Sequence, residues 1–514
     1  MANDPSELDP DVTFVVGAGS SGAVIASRAT EDPRRRVVLL EAGPDYPDPA
    51  RLPADLRDGT RNALRSHDWG HVYSPTEGAI PLPQPRGRVV GGSSAVNTCI
   101  ALRGQPSDYD EWASLGLPEW SWQHCLSAFK RLETDWDVRN EWHGQDGPMP
   151  IRRHTSEELT PWQSGFLGAC DELGFPHTSD TNDPASSGAG CHAMNLIHGE
   201  RVSAAQAFLT PAVRARENLS IRSRVLVRRV ILRNRVVEGL EVESSGRVEL
   251  LPARRVVLCA GAIATPGILL RSGIGPRREV ERLGVTLVSD VPAVGRRMLD
   301  HYGALIALAP RPGVASVHGP LIQTCLRYRS KGSNTDNDVM IQPGSFLQLP
   351  DSVAPLVTIM ACVEKPRAHA TLRFPSADPH VRPEMIGHVL TDPEDRERAV
   401  EGLEIAWLCA TSRAMRGLAD FAWPSESVLA RRDVLRDWIG RSCGGAYHLS
   451  GTVPMGPEGH EDAAVDGRGR VRGVRGLWVA DASVFPTIPS ANTNLPTLMV
   501  GERFGAWFRE SGND

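Results

Sequence analysis

The stretch Val12-Thr-Phe-Val-Val16-Gly17-Ala-Gly19-Ser20-Ser21-Gly22, then Ala23 to Thr30 with helical spacing, then Val37-Val-Leu-Leu40-Glu41, decides the fold. An apolar strand, a glycine turn, a helix and a second apolar strand make a βαβ unit. Each glycine answers a separate need. Gly17 makes the tight turn, Gly19 lets the backbone approach a pyrophosphate, and Gly22 lets the helix pack closely on the strand. The phosphates then face the free N–H groups of the helix N-terminus. Glu41 stands 19 residues beyond Gly22 at the end of the second strand. A carboxylate there accepts hydrogen bonds from both hydroxyls of an adenosine ribose and repels a phosphorylated one. This context marks a dinucleotide site and leaves NAD and FAD both open.

Outward from this unit, 514 residues exceed the roughly 250 to 300 that one core holds, so two or three domains are expected. A hydrophobic content of 41% and a charged content of 23% exclude a disordered, collagenous or polytopic membrane chain. The net charge of -6 provides no basic field for a nucleic-acid backbone. Nine scattered cysteines without a CxxC pair point to neither a disulfide framework nor a zinc cluster, and no metal site is expected. Met1 to Asp11 lacks the basic and apolar regions of a secretory signal, which predicts a cytoplasmic protein. The longest apolar run, Val256 to Leu270, is interrupted and falls short of the ~20 residues of a membrane span. Lys130, Lys331 and Lys365 are the only lysines among 56 basic residues, a bias that points to a high-GC bacterial source.

Ser107 to Leu115 and Ser121 to Glu133 read as helices opened by serine N-caps, the second with a core stripe of Trp122, Cys125, Leu126, Phe129 and Leu132. Residues 203 to 216 read as helical. Leu219 to Arg233, Val236 to Glu243 and Val248 to Leu251 alternate as a β meander, and Arg254 to Ala260 is a buried strand. The region 303 to 390 predicts the antiparallel sheet of a second domain. Residues 394 to 417 and 425 to 440 read as helices, and Gly476 to Ala480 as a strand. The fold class is α/β, α+β overall: a Rossmann-like domain interleaved with a domain built on an antiparallel sheet.

Three further segments carry a family resemblance. Gly87-Arg-Val-Val-Gly91-Gly92-Ser93-Ser-Ala-Val96-Asn97-Thr-Cys-Ile-Ala101-Leu-Arg-Gly104 resembles the first signature of the glucose-methanol-choline (GMC) flavin oxidoreductases. Gly261-Ala-Ile-Ala-Thr-Pro-Gly-Ile-Leu-Leu-Arg-Ser-Gly-Ile-Gly275 resembles the second. Tyr447-His448-Leu-Ser-Gly-Thr-Val-Pro-Met-Gly456, Asp481-Ala482-Ser and Pro489-Ser-Ala-Asn492-Thr493-Asn494-Leu-Pro-Thr497 resemble the C-terminal catalytic and flavin segments. The resemblance implies FAD rather than NAD. It implies a FAD-binding domain from residues 1–155, 200–302 and 440–514, and a substrate domain from 156–199 and 303–439. Gly17, Gly19, Ser20, Ser21, Gly22 and Glu41 would hold the ADP half, with Val225 beside the adenine. Gly91, Gly92, Ser93, Asn97 and Ala101 would line the flavin. Asp481 and Ala482 would lie along the ribityl and pyrophosphate, Thr493 and Asn494 at the pyrimidine end, and Ala260 and Gly261 would also bind the cofactor. Some relatives tether FAD through a histidine in the first signature. Val96 stands there in this chain, which implies non-covalent FAD.

The chemistry implied is oxidation of a primary alcohol to an aldehyde by hydride transfer to the flavin while the protein removes the hydroxyl proton. His448, with a reference pKa of about 6.5, is the expected base. Asn492 is the expected donor that orients the substrate oxygen, the other reading being a cap on the last helix. Asp300-His301 resembles the family's DH pair and is read as a structural pair, with His301 outside the catalytic set. His388 and Gln342 are candidates for substrate contact. Cys99 and Cys443 are read as small buried hydrophobes. A choline-like cation would need an aromatic cage and a carboxylate. Trp69 offers an aromatic face, but Leu321 to Arg329 carries two arginines and no acid, so a neutral alcohol is favoured. O2 or another acceptor would reoxidise the flavin, the small Ala446 tilting the choice to O2. The alternative is a non-redox lyase or photodecarboxylase of the same fold.

Overall fold

A computed structural model describes residues 12–64, 66–76, 81–348, 353–354 and 356–510; the segment 1–11, read above for a targeting signal, lies outside them. Val12–Val16 and Arg36–Leu40 pair in parallel, Val12 opposite Arg36 and Val16 opposite Leu40, with the helix Ser20–Ala29 crossing between. Three more strands extend this sheet. Its order is Leu219–Arg222, Arg36–Leu40, Val12–Val16, Arg255–Leu258, Leu477–Val479, all parallel. Such a sheet is covered on both faces, which is why its strands are nearly continuous apolar runs. The C-terminal helix Asn494–Glu510 lies on Ser20–Ala29 so closely that a Cβ at Gly501 would stand 2.8 Å from the Ser21 carbonyl oxygen.

The second sheet is antiparallel. From one edge it runs Ala419–Trp423, Tyr302–Pro310, Val357–Val363, Val339–Gly344, Thr324–Tyr328, Gly188–Cys191, with Gly444–Gly445 pairing onto Tyr302–Pro310. Ile306, Ile341 and Ile359 face the core that includes Leu403 and Ala406 of the helix Pro393–Thr411. By strand alternation the opposite face carries His301, Glu364, Met340, Gln342, Cys325 and Arg327. Met340 and Cys325 there pack with Cys99, Ile100 and Leu102 of the first signature and with Ala491.

Several elements depart from the sequence reading. Leu219–Arg222 leaves the meander for the parallel sheet, because Arg224 at φ 58° breaks the run before Leu226–Arg233. The remaining meander is Leu226–Arg233, Val236–Ser244 and Arg247–Pro252. The helical stretch of 203 to 216 is two helices, Ala204–Phe208 and Pro211–Arg214. The residue before a proline avoids the helical region, and Thr210 caps the second piece instead. The helix expected from Ser107 starts at Pro106, with Asp108 accepting from the Gln105 N–H. Pro393–Thr411 ends short of 417, where Thr411 Oγ1 bonds back to the Trp407 carbonyl and Ser412 turns extended. The segment 425 to 440 divides into Glu426–Leu429 and Arg432–Ser442. No helix among the described residues is long and apolar enough to cross a membrane.

Candidate active site

The dinucleotide corner is built from backbone. Gly17, at φ 99°, donates to the Leu40 carbonyl, and a Cβ on Gly22 would lie 1.9 Å from the Gly17 oxygen. Gly19 faces Gly92: a Cβ at Gly92 would stand 2.6 Å from the Gly19 Cα. Gly91, at φ 106°, donates to the Ala18 carbonyl at 2.7 Å, so the first signature is docked on the dinucleotide loop. No side chain among the described residues caps the N-terminus of Ser20–Ala29, which leaves its N–H groups to an anion. Ser21 is buried in that first turn, and Ser20 Oγ donates to Asn494 Oδ1 at 2.8 Å, tying the C-terminal helix to the same corner. Glu41 Oε2 accepts from the Ala18 N–H and Oε1 from the Gly43 N–H, and burial still pushes its carboxyl up to about 7. Val225 donates its N–H to the Glu41 carbonyl. A cleft of about 520 Å³ adjoins this corner, lined by Ala42, Gly43, Arg88 and Arg224 among others. Glycine cradle, open helix N-terminus and the buried Glu41 carboxyl at the end of the second strand together fit the ADP half of a dinucleotide.

Farther along, Asn97 Oδ1 accepts from the Cys99 N–H, fixing a turn in which Cys99 sits at φ 64°. Ala101 is buried, donating to the Ala193 carbonyl and accepting from Asn182 Nδ2. Ser93 Oγ accepts from the Gly87 N–H. Asp481 is committed to the protein: Oδ2 accepts from the Gly261 N–H and Thr265 Oγ1, Oδ1 from the Ser483 N–H. It therefore caps the helix Gly261–Arg271, whose N-cap is Ala260 and whose first residue is at φ 84° with no atom within 4 Å of a built Cβ among the described residues. Ala482 accepts from the Gly451 N–H, and the Thr493 carbonyl accepts from Thr497 in the C-terminal helix.

The catalytic corner is made where two segments pair antiparallel. Leu299 exchanges both hydrogen bonds with Ser450, and farther on Tyr302 pairs with Gly445. Three steps on one chain face five on the other, a bulge that holds Tyr447 at φ 69° and re-aims His448. Asp300 Oδ1 accepts from the backbone N–H groups of both His301 and His448, at 2.9 and 2.7 Å. Burial pushes its carboxyl up to about 7, those N–H groups opposing. The rings of His301 and His448 meet edge-on at 75°, Nδ1 to Nδ1 at 2.8 Å. His301 Nε2 lies 3.0 Å from the Pro489 carbonyl, which only accepts, so the ring proton of a neutral His301 is on Nε2. His301 Nδ1 must then accept, and His448 Nδ1 carries the proton between the rings. His448 Nε2 is left with its lone pair, 2.9 Å from the Asn492 amide Nδ2, which donates to it. Burial, with His301 and Arg86 adding to it, holds His448 well below the usual histidine range, so it is neutral.

The structure brings His448 and Asn492 together, with the Asn492 amide bonded to the His448 ring. His301, which that reading set aside as structural, touches His448 directly; its DH context was the available signal. Glu364, whose Oε2 lies 3.3 Å from His301 Nδ1, escaped the sequence reading because its position comes from a strand crossing that no local motif encodes. Gln342 is buried with its Oε1 unpartnered among the described residues. His388 is exposed and bonds Thr371. The Trp69 face is covered by the Arg88 guanidinium at 4.8 Å, and Arg329 pairs with Asp336 at the surface. Cys99 and Cys443 are buried, with burial pushing both thiols up to about 11.

Known proteins are similar to this chain over nearly its whole length. Two family models described as GMC oxidoreductase match residues 13–303 and 366–501. A 5-(hydroxymethyl)furfural oxidase of Methylovorus sp. (strain MP688) is 34% identical over 520 residues, 95% of this chain and 97% of that relative. An oxygen-dependent choline dehydrogenase of Photobacterium profundum is 30% identical, over 95% of this chain and 91% of its own length. The crystal structure of pyridoxine 4-oxidase from Mesorbium loti superposes with a TM-score of 0.88 at 28% identity, covering 98% of this chain and all of that one.

Proposed function

This chain belongs to the GMC oxidoreductase family and uses FAD, and from that premise we propose that it oxidises a primary alcohol to the aldehyde, with His448 taking the hydroxyl proton and Asn492 orienting the oxygen. The observation that carries the proposal is the lone pair on His448 Nε2 facing the Asn492 amide. A hydroxyl entering between them can give its proton to Nε2 and accept from Nδ2. The neutral ring suits that task. When bound, FAD supplies the two-electron acceptor for the carbon-bound hydrogen. Gly17, Gly19, Gly22, Glu41, Gly91 and Gly92 would hold it, with no covalent tether because Val96 stands where a histidine would provide one.

We take the substrate to be a neutral alcohol whose hydroxymethyl group is borne on a small ring, as in 5-(hydroxymethyl)furfural, and the acceptor to be O2. The relatives named as oxidases support both choices. A choline-like cation is disfavoured, because Arg88 already covers Trp69 and the charged side chain facing inward from the strand Thr324–Tyr328 is the buried Arg327. We keep the domain division of the sequence reading: the parallel and the large antiparallel sheet draw their strands from the expected segments apart from Gly444–Gly445 and the first residue of Tyr302–Pro310, while the pair Leu196–Ile197 and Glu200–Arg201 straddles the 199/200 boundary. Nine free cysteines support a cytoplasmic setting.

The test is anaerobic mixing of the FAD-loaded protein with a panel of primary alcohols, followed by admission of air. Bleaching of the flavin by ring-borne hydroxymethyl compounds, with recovery and peroxide on aeration, is expected. Bleaching without recovery replaces O2 by another acceptor, and no bleaching by any alcohol removes the proposal in favour of a lyase or photodecarboxylase.

A further inference from the structure

Behind the His301–His448 contact lies a buried carboxyl. Glu364 follows the strand Val357–Val363, is 1% exposed, and places Oε2 3.3 Å from His301 Nδ1. Neither of its oxygens has a hydrogen-bond partner among the described residues. Burying an unpartnered carboxyl costs stability, so its place behind the histidine pair calls for a role.

We propose that His301 and Glu364 are positioning residues for His448: His301 fixes which ring nitrogen is free to take the substrate proton, and Glu364 sets how readily the histidine pair accepts it. The inference rests on the reading of His448 as base and deepens it. The chain of donors runs from Asn492 Nδ2 to His448 Nε2, from His448 Nδ1 to His301 Nδ1, and from His301 Nε2 to the Pro489 carbonyl. Reversing any proton in it would leave either two donors or two lone pairs face to face. When the substrate O–H bond breaks and an Nε2–H bond forms, His448 becomes an imidazolium. Its Nδ1 proton can then pass to His301 Nδ1, and the positive charge is spread over two rings, the second facing Glu364.

The electrostatic setting supports this division of labour. Burial drives His301 down to about 3, so it stays neutral and able to accept. Burial pushes Glu364 up to about 8, with Arg327 opposing and Asp108 and Asp300 reinforcing. The thiols of Cys325 and Cys362 and the ammonium of Lys365 complete the titratable groups around the pair, and Arg86 faces His448. Glu364 is therefore protonated at neutral pH and ionises as pH rises through about 8. Its carboxylate then favours the protonated histidine pair, which makes His448 a stronger base on the alkaline side.

Two measurements test this. In the first, the rate of anaerobic flavin reduction by alcohol is followed against pH. The wild-type profile should rise through an inflection near pH 8 that Glu364→Gln abolishes, while FAD content holds. His301→Ala should slow reduction by about 10²-fold, and His301→Gln, whose amide can accept from His448 and donate to Pro489, should restore part of it. Superimposable profiles for Glu364→Gln and wild type, or an undiminished rate in His301→Ala, overturn the proposal. The second measurement needs no turnover. In FAD-loaded protein with 15N-labelled histidine, His448 should carry its proton on Nδ1 in wild type and in His301→Gln, and in a tautomeric mixture in His301→Ala. A proton on Nε2 in wild type also overturns the proposal. If no alcohol bleaches the flavin but the tautomers behave as stated, the alcohol reaction fails and the positioning role stands.

Discussion

In the proposed reaction one lone pair on His448 carries the chemistry, and its neighbours act on it. Asp300 holds the backbone, His301 holds Nδ1, and Asn492 reaches Nε2. His448→Ala should retain FAD, since the residue touches none of the glycines of the dinucleotide corner, yet slow alcohol-dependent flavin reduction by about 10²-fold or more. Stopped-flow absorbance checks this, and unchanged reduction removes His448 from the mechanism. Glu364 gives a second prediction, on stability. Its folded pKa, about 8, lies above the ordinary carboxyl value, so the folded state keeps a proton that the unfolded chain has released. Stability is accordingly lost as pH rises from about 4.5 through about 8. Glu364→Gln removes that loss, and its urea midpoint relative to wild type should improve from pH 5 to pH 9. A constant difference would mean that the folded carboxyl is not raised and is already ionised at pH 5. These residues differ in how much the sequence said of them. His448 and Asn492 stand in long signatures, whereas Glu364 stands in none.

Among elements, the pairing of 299–303 with 444–450 does most to shape the site. Its bulge depends on glycine at one point: a Cβ on Gly445 would stand 2.2 Å from Asp300 Oδ2. Gly445→Ala should displace Asp300 and the His448 backbone it holds, costing about 1–3 kcal/mol from overpacking. Flavin reduction should slow at least tenfold with FAD still bound, as rapid kinetics and the visible spectrum would reveal; an unaltered rate would mean that Asp300 does not position His448. Strands and helices with strong periodicity were legible, among them Val12–Val16, Ser20–Ala29 and Trp122–Leu132. The sequence reading erred at Thr210-Pro211, at Arg224 and at Thr411, where one residue's backbone preference or back-bonding ends a run that composition alone would continue. The bulge had no local sign except glycines, because it depends on a partner strand about 150 residues away.

Across the whole molecule, a buried ionic network anchors the far side of the first signature. His143 bonds Glu133, Asp135 and Asp180, each at 2.9 Å, while Arg103 pairs with Glu133, and Arg153 with Asp135 and Asp180. Glu133, Asp135 and His143 are spaced closely enough for a metal ion, but two arginines already neutralise the carboxylates. Burial opposes charge on His143, yet its hydrogen bonds to Asp135, Asp180 and Glu133 outweigh burial and push it up to about 10. A histidine raised on folding contributes stability that is complete below its unfolded value, about 6.5, and lost as pH rises through about 10. Denaturant midpoints at pH 7, 9 and 10 should fall for wild type and less steeply for His143→Gln. Parallel curves would mean that His143 is not charged in the fold.

The amino-acid sequence alone determined the βαβ unit and the flavin signatures, because each rests on residues close together along the chain whose spacing the backbone fixes, and it offered His448 as the candidate base through a family resemblance. The tertiary structure decided the rest: which ring nitrogen of His448 is bare, that His301 stands behind it, and that Glu364 stands behind His301. Those facts depend on strands remote in the chain meeting in one register, and on hydrogen-bond donors and acceptors that must match once water is excluded.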